Sequence, residues 1–600
     1  MRIGIRLLVF ISTFGLITQA QNASFGGFLS GGGSTGSDRA ADVVTDATGN
    51  IFTANTFLLQ ATFNGNTFSG AAKGSGASYD NNLLITKLSP AKTTLWSIYS
   101  NVGAVSPVAL ATTANGDLIV TGNIRAIVNT TAQTTTANII DALGTVTTFT
   151  GLGSATANVQ SFVAKFNSSG VIQWVKEFNS DASKLSSVLT DALACDADGN
   201  IYLTGNFVSS VILPSASPVT LTSTNSGGTS PKAAFITKLD GSTGQVLWNK
   251  ASSGGIYSEI LSAITYGDDG YIYAAGIYRN ATSTISVTIG DKNFTPSSGY
   301  DLTLLKFDSN GNLSYIQNRS NLSDTRVKDI TEKNGKVFVS GSFRGDNLGI
   351  QFSSAALTST TPFLNGFIVC FSTLNGTDCW QKSIFSPGIV ESYGVTIPSD
   401  GRLYAFGGFA NKGTSTTAGS VDFGNSKTIA DTNPTNSSAD LFLASYNVSD
   451  GTTLELHTVG TSAGFETASS MVSSGVNLYL LGTTNSSVVF ENSTTYSSLG
   501  AYDFLLVNYT VTNPFSEILT PMTTKFPFAI VDNINHSIVV KNATQVSSVT
   551  LYDFNSRTIK AIISNGSSLT IGTNGIESGI YIVHMISSTG NNITQRLLIK

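Results

Sequence analysis

The chain is short of charge, histidine and cysteine, and each shortage excludes something. Charged residues occupy 12% of 600 positions, about half the usual share. The formal net charge is −5 and no run of Lys or Arg occurs, so the electrostatic footprint that neutralises a phosphate backbone is missing and nucleic acid is not an expected partner. Three cysteines cannot supply a disulfide framework. The packed core must provide the stability. Three histidines, His457, His536 and His584, leave little material for a His-rich zinc site or a Ser-His-Asp set. No apolar run reaches the roughly 18 residues that cross a bilayer, so no transmembrane span is expected in the mature chain.

Glycine is abundant, with 59 residues, and Ser, Thr and Asn fill most polar positions, which favours short strands joined by tight turns. At the N-terminus Arg2 and Arg6 precede an apolar stretch from Leu7 to Ile17 and then Thr18-Gln19-Ala20. This is the layout of a secretory signal peptide, with cleavage expected between Ala20 and Gln21.

One pattern returns seven times: a turn of Asp, Asn and Gly, a short β-branched or aromatic run, then Gly or Ala. It is clearest in Asp196-Ala197-Asp198-Gly199-Asn200-Ile201-Tyr202-Leu203-Thr204-Gly205, with relatives at 46–54, 114–122, 266–276, 332–341, 398–407 and 473–482. Each reads as a hairpin. A second apolar run follows each copy, as in Phe235-Ile236-Thr237-Lys238-Leu239, and a fourth strand usually comes next. Trp96, Trp174, Trp248 and Trp380 share one place in that fourth strand, which Tyr315 takes in the fourth copy and Leu456 is expected to take in the sixth. The seventh copy lacks a fourth strand, and residues 23–32 resemble the end of a repeat, so the N-terminal segment is expected to complete the last copy and remove an open sheet edge.

Four strands repeated in this way match a propeller. The sentence resembles the cell-surface β-propeller repeats of bacterial exported proteins, with an Asp-x-x-Gly-Asn-x-Tyr-x-x-Gly core and a Phe-Val-x-Lys-Leu strand. Copies five to seven place Cys370, Ser445 and Asn508 where that strand has Lys.

From about Thr523 the repeat stops and alternating strands read as a small β-sandwich. Leu551-Tyr552-Asp553-Phe554-Asn555-Ser556-Arg557, Gly579-Ile580-Tyr581-Ile582 and the terminal Arg596-Leu597-Leu598-Ile599-Lys600 resemble the C-terminal sorting domain of type IX secretion. Leu551, Tyr552, Asp553, Gly579, Tyr581 and Lys600 are the matching motif positions. The resemblance implies export to the periplasm, recognition by the type IX secretion machinery, and a propeller as cargo.

Candidate chemistry is sparse. Asp196-x-Asp198-x-Asn200 has the start of a calcium loop, but Ile201 and Phe207 stand where Gly and a bidentate acid are needed, so a hairpin turn is the expected reading. Asp80, Asp301, Asp440 and Asp503 recur before the second apolar run and are read as strand-start hydrogen-bond acceptors. Cys370 and Cys379 flank the Asn375-Gly376 turn; a local disulfide and two free thiols are both compatible with that spacing. The insertions at 124–160 and 208–231 are where a specific contact surface is expected.

The expectation is an all-β chain: a signal peptide at 1–20, a seven-bladed β-propeller at 21–512, a linker at 513–525 and a sorting β-sandwich at 526–600. It is expected to act as a non-enzymatic binding or adhesion module for an unidentified glycan or protein, without a cofactor or metal, secreted or on the outer surface of a Gram-negative bacterium. A polysaccharide hydrolase or lyase, or a structural envelope component, are the alternatives.

Overall fold

The computed structural model describes residues 23–511 except 34–36, 71–80, 126, 129–132, 135, 151–158, 181–186, 225–230, 256, 281–285, 321–323, 345–348, 354, 360, 411–419, 431–438 and 463. It also describes residues 528–599 except 533–536, 542–545, 554–556, 564–568, 577–578 and 588–591. The expected signal peptide with its Ala20–Gln21 cut, the linker, Asp80 and Lys600 therefore lie outside the described residues. Among the described residues every regular element is a strand. The chain divides into two compact bodies, Met1–Asn513 and Pro514–Lys600.

The first body repeats one four-stranded antiparallel sheet. In repeat 1 the strands are Arg39–Thr45, Ile51–Phe57, Asn82–Leu88 and Thr94–Tyr99. Five further sheets of this order begin at Ala104, Val188, Glu259, Thr325 and Ile389. Repeat 7 has Glu466–Ser474, Asn477–Thr484 and Asp503–Thr510, and its fourth strand is Ser24–Gly32, paired from Ser24↔Thr510 to Gly31↔Phe504. The first strands of successive repeats touch in turn, and that of repeat 7 touches that of repeat 1, so they close a ring. Middle strands are buried along their whole length, as in Ile51–Phe57 and Asn82–Leu88. That burial follows from sheets packed on both faces.

Neighbouring repeats are tied by one recurring contact. Opposite each strand-three Lys stands the fourth-strand aromatic residue: Lys87↔Trp96, Lys165↔Trp174, Lys238↔Trp248, Lys306↔Tyr315. In the first three pairs both side chains donate to one turn carbonyl of the next repeat, while Lys306 and Tyr315 donate to the adjacent Thr373 and Ser372 oxygens. Lys87 Nζ and Trp96 Nε1 each lie 3.1 Å from the Ser168 oxygen, and Lys238 Nζ and Trp248 Nε1 lie 3.3 and 3.0 Å from that of Ser309. The buried ammonium is offset by a carboxylate of its own repeat, Lys87–Asp46 at 3.4 Å and Lys238–Asp196 at 3.5 Å, and by an aromatic face, Phe52 at 4.8 Å and Tyr202 at 5.1 Å. These three partners meet the requirement that a buried charge be paired and hydrogen-bonded. The turn of the following repeat lies flat on the indole: a Cβ at Gly311, whose φ is 82°, would stand 2.7 Å from Trp248.

Where the sequence departs from the pattern, other groups take over. In repeat 5, Cys370 opposes Trp380, and Lys336 from the second strand supplies the ammonium, 3.0 Å from the Val448 oxygen that Trp380 also reaches at 3.2 Å. In repeat 6 the aromatic position belongs to Glu455, opposite Ser445, and Leu456 opposes Ala444 instead. The expectation for Leu456 is thus off by one residue, because the bulge between Ser445 and Tyr446 sets the register and an apolar side chain does not. Glu455 accepts the Ala23 N–H at 3.1 and 3.2 Å and pairs with Arg402 at 3.5 Å. His457 is held 2.9 Å from both Glu455 and Glu491. Burial opposes its charge, but the two carboxylates outweigh burial and hold its pKa up at about 9.

The insertions at 124–160 and 208–231 carry hairpins that extend the preceding sheet. Ala137–Ile140 joins the fourth strand of repeat 1 at Ile140↔Tyr99, and Ser210–Leu213 joins that of repeat 2 at Asn179↔Ile212. The same connection attaches at Gly31↔Phe63 and Ser252↔Ile289. Two hairpins of the long insertions, Ala137–Ile140 with Val146–Phe149 and Ser210–Leu213 with Val219–Thr222, therefore cover sheet edges and bury Ile139, Phe149, Val211 and Leu213, while Ile127–Val128 and Gln133–Thr134 pair only with each other.

In the second body a sheet of Phe528–Asp532, Ser537–Lys541 and Leu569–Gly572 and a sheet of Thr558–Ile563, Val546–Tyr552, Gly579–Ser587 and Asn592–Ile599 share one apolar core. The motif residues Leu551 and Tyr552 pair with Val583 and Ile582, and Gly579 and Tyr581 with Ile599 and Leu597, so these pieces occupy three adjacent strands. Asp553 caps the next turn by accepting from the Arg557 backbone at 2.9 Å and its guanidinium at 2.7 Å.

Trp248→Ala should cost about 2–4 kcal/mol, at or just below the range for buried aromatics, in equilibrium urea unfolding. Leu247→Ala, one residue away and 53% exposed, should stay within about 0.5 kcal/mol of the wild type. Equal effects would contradict the tie.

Candidate functional site

All seven first strands carry a β-bulge at the same place, between the register pairs 40/42, 107/109, 190/192, 261/263, 327/329, 392/394 and 468/470. A bulge re-aims side chains, and here it presents them to a cavity of about 370 Å³ enclosed by the seven first strands. The extra residues are Ala41, Val108, Asp191, Ser262, Lys328, Tyr393 and Ser469. Asp42 and Asp329 follow two of them. The scaffold repeats, but this lining does not: polar and charged groups concentrate on repeats 3 to 7 and on Asp42.

Asp42 accepts from the Val43 N–H at 2.8 Å, the Leu110 N–H at 2.7 Å and the Ser470 hydroxyl at 2.6 Å, which ties repeat 1 to both neighbours. Burial raises its pKa. Asp329 accepts from the N–H groups of Ile330 and Val395, each at 2.8 Å. Burial pushes it up to about 7, and the charge of Asp42 adds to the shift. Asp191 accepts from Asn206 Nδ2 at 2.6 Å, and burial pushes it up to about 7 against the pull of Lys232. The Lys328 ammonium lies 4.4 Å over the Tyr393 ring and 3.9 Å from Glu391, and burial lowers its pKa while Glu391 opposes that shift. Tyr393 donates to Glu391 at 3.0 Å, and Ser342 donates to the other carboxylate oxygen at 3.0 Å.

This lining can bind a small polar group, with Lys328 and Asp191 as its least tied charges. Asp42 and Asp329 are spent on backbone amides. Among the described residues no group of three or more His, Cys, Asp and Glu is placed to hold a metal ion.

The other sequence candidates have structural partners. Asp196 accepts from the Asp198 and Asn200 N–H groups, at 3.1 and 2.8 Å, and from the Asn200 amide at 2.9 Å, as a turn requires. Asp503 accepts from Tyr496, Ser498 and the Leu499 N–H, at 2.8, 2.7 and 2.6 Å, and Asp301 from Ser297 and Asn318. Of the two arrangements compatible with the Cys370–Cys379 spacing, the structure carries free thiols, Cys370 buried and Cys379 exposed. Cys379 falls on the bulge between the pairs Cys370↔Trp380 and Phe371↔Asp378 and has no ladder partner. Burial first, then a hydrogen bond with Cys379, pushes the Cys370 thiol up. The axial residues were missed in the sequence because nothing in its pattern marks a bulge.

No known family matches the sequence, and no curated protein matches it. Among solved structures, the quinohemoprotein alcohol dehydrogenase of Comamonas testosteroni aligns over 81% of this chain and 76% of its own, at 9% identity and a TM-score of 0.34. Trypanosoma rangeli sialidase with the inhibitor DANA aligns over 85% and 86%, at 10% identity and a TM-score of 0.28. PorZ, a surface component of the type-IX secretion system of Porphyromonas gingivalis, aligns over 95% and 100%, at 10% identity and a TM-score of 0.16. These scores are too low to transfer an activity or a partner.

The raised carboxylates give a pH test. A folded-state pKa of about 7 against an ordinary 3.8 for Asp191 means a contribution present below the ordinary value and lost as pH rises through about 7. Asp191→Asn should therefore gain a few degrees of Tm on the wild type at pH 8 relative to pH 5. Parallel melting profiles across that range would contradict the assignment.

Proposed function

We propose that the chain is an exported seven-bladed β-propeller with a C-terminal sorting sandwich, and that it works by binding a glycan or protein at the cell surface or after release. The blades are the seven repeat sheets, each packed on the next, with Ser24–Gly32 completing the last. Export rests on the signal-peptide pattern at residues 1–20, and sorting on Leu551-Tyr552-Asp553, Gly579, Tyr581 and Lys600; the partner implied there is the type IX secretion machinery of a Gram-negative cell.

One observation carries the binding reading: a repeated scaffold surrounds a non-repeating polar cavity whose carboxylates Asp42 and Asp329 serve as cross-ties. Cavities of a few hundred Å³ with a few fixed polar groups suit ligand recognition. This reading puts the contact surface at the axis, where the lining does not repeat, rather than on the insertions at 124–160 and 208–231. Deleting 129–154 would strip Ile139 and Phe149 from the core, which makes point substitution the cleaner probe.

Asp191, with its pKa near neutrality, favours a second reading as a polysaccharide hydrolase, since a general acid or base works best when its pKa is close to ambient pH.

The chain from Gln21 onward, applied to glycans and extracellular-matrix proteins in array form, should bind a defined set. Lys328→Ala should weaken that binding by about tenfold with Tm changed by only a few degrees. No binding, together with polysaccharide cleavage that Asp191→Asn abolishes, would replace this reading with the second.

A further inference from the structure

We propose that a small cavity at the junction of repeats 6 and 7 receives the acetamido group of an N-acetylated amino sugar whose ring lies in the axial cavity. The proposal rests on the binding reading and names one class of ligand for it.

Two residues before each bulged residue, the first strand pairs with the second at Thr56, Asn123, Asn206, Ile277, Ser342, Gly408 and Thr483. Six repeats thus carry a side chain at this position, and repeat 6 carries none. Two of these side chains tie a repeat to the next: Ser342 donates to Glu391 at 3.0 Å, and Thr483 accepts from the Ala40 N–H at 3.0 Å. Gly408 can make no such tie. It follows Phe406 by two residues in the strand Leu403–Ala410, and Phe406 shares a core cluster with Ala468 and Leu478 of repeat 7, so the empty position faces repeat 7. A cavity of about 90 Å³ occupies that place, lined by Ile389, Gly408, Phe409, Phe465, Thr467 and Ala468.

Nothing in the backbone demands glycine at 408. A Cβ there would meet only the Asp440 oxygen at 3.6 Å and Leu441 Cδ2 at 3.7 Å, whereas one at Gly407 would stand 2.2 Å from the Glu391 oxygen. The cavity is therefore space that the other repeats fill. Ile389, Glu391, Gly408, Phe465 and Thr467 around it are half-buried, so it opens to solvent. It shares Tyr393 with the axial cavity. A ligand lying over that common wall can place one group in each space.

Size and lining choose the group. A cavity of about 150 Å³ takes a benzene ring and one water occupies about 30 Å³, so this one admits roughly three or four non-hydrogen atoms. Protein ligands depend on aromatic and Arg anchors, which are too large for it. Ile389, Phe409 and Phe465 offer an apolar wall to a methyl group. Glu391 takes one hydroxyl on each carboxylate oxygen, from Ser342 and Tyr393, and keeps acceptor capacity for an amide N–H. The Thr467 hydroxyl can donate to an amide oxygen. Methyl, carbonyl and N–H in that compass make an acetamido group, and Lys328 and Asp191 remain in the axial cavity to bind ring hydroxyls.

The test measures affinity of the chain from Gln21 onward for two pairs of disaccharides that differ only in acetamido or hydroxyl groups at C2: di-N-acetylchitobiose against cellobiose, and N-acetyllactosamine against lactose. The wild type should bind at least one acetylated sugar about tenfold more tightly than its counterpart. Gly408→Thr, which gives repeat 6 the side chain that repeats 1 and 7 carry, should remove that preference with Tm within a few degrees of the wild type. Gly408→Ala, which adds only a methyl, should reduce it, and keeps the test decisive if the larger side chain unfolds the chain. Lys328→Ala should weaken both members of a pair by a similar factor. Binding of neither acetylated sugar, equal binding within each pair, or an undiminished preference in the folded Gly408 variants would each overturn the proposal. If array ligands that depend on Lys328 still bind in those cases, the axial reading survives and this pocket does not.

Discussion

One turn carbonyl, approached from the preceding repeat by an indole N–H and a lysine ammonium, sets the spacing of the ring. At Ser168 and Ser309 the same oxygen takes both donors. The tie requires a glycine in the turn so that the backbone can lie on the indole, and an Asp in the same repeat to offset the buried ammonium. Three features that look independent in the sequence, the Asp-Gly-Asn turn, the strand-three Lys and the strand-four Trp, are thus parts of one contact between neighbours.

The two junctions that involve the N-terminal strand invert this chemistry. Glu455 replaces the indole and accepts a backbone N–H from Ala23, and Gly27 stands opposite Asn508 where an indole would stand. There the next repeat supplies the cation itself: Lys92 Nζ lies 3.3 Å from the Gly26 oxygen. Each junction keeps a donor, an acceptor and a close backbone approach. What changes is which side contributes each.

The sequence makes the scaffold legible and hides the site. The repeat, the shared Trp position and the incomplete last copy can all be read from turn residues and apolar runs, because those residues make the inter-repeat ties. Glu455 was hidden because a bulge offsets the register by one, so the apolar Leu456 looked like the equivalent residue. The axial residues Asp191, Lys328 and Tyr393 sit on that same kind of irregularity in the first strands, where alternation breaks. In the insertions the sequence shows only length, and the hairpins that join neighbouring sheet edges at Ile140↔Tyr99 and Asn179↔Ile212 depend on strand pairing that no local pattern marks.

The strand Ser24–Gly32 is among the first parts of the chain to be made, and its partner Asp503–Thr510 comes nearly five hundred residues later in the numbering. Until that partner arrives, an edge strand waits without its ladder, a hazard for mispairing. Its glycines limit that hazard, since residues without side chains form poor strands alone. They also fit the final place: a Cβ at Gly31 would stand 2.6 Å from Phe504. The segment is thus a weak strand by itself and a close fit only to its late partner, so the ring's last sheet forms only when the propagating chain has supplied Asp503–Thr510.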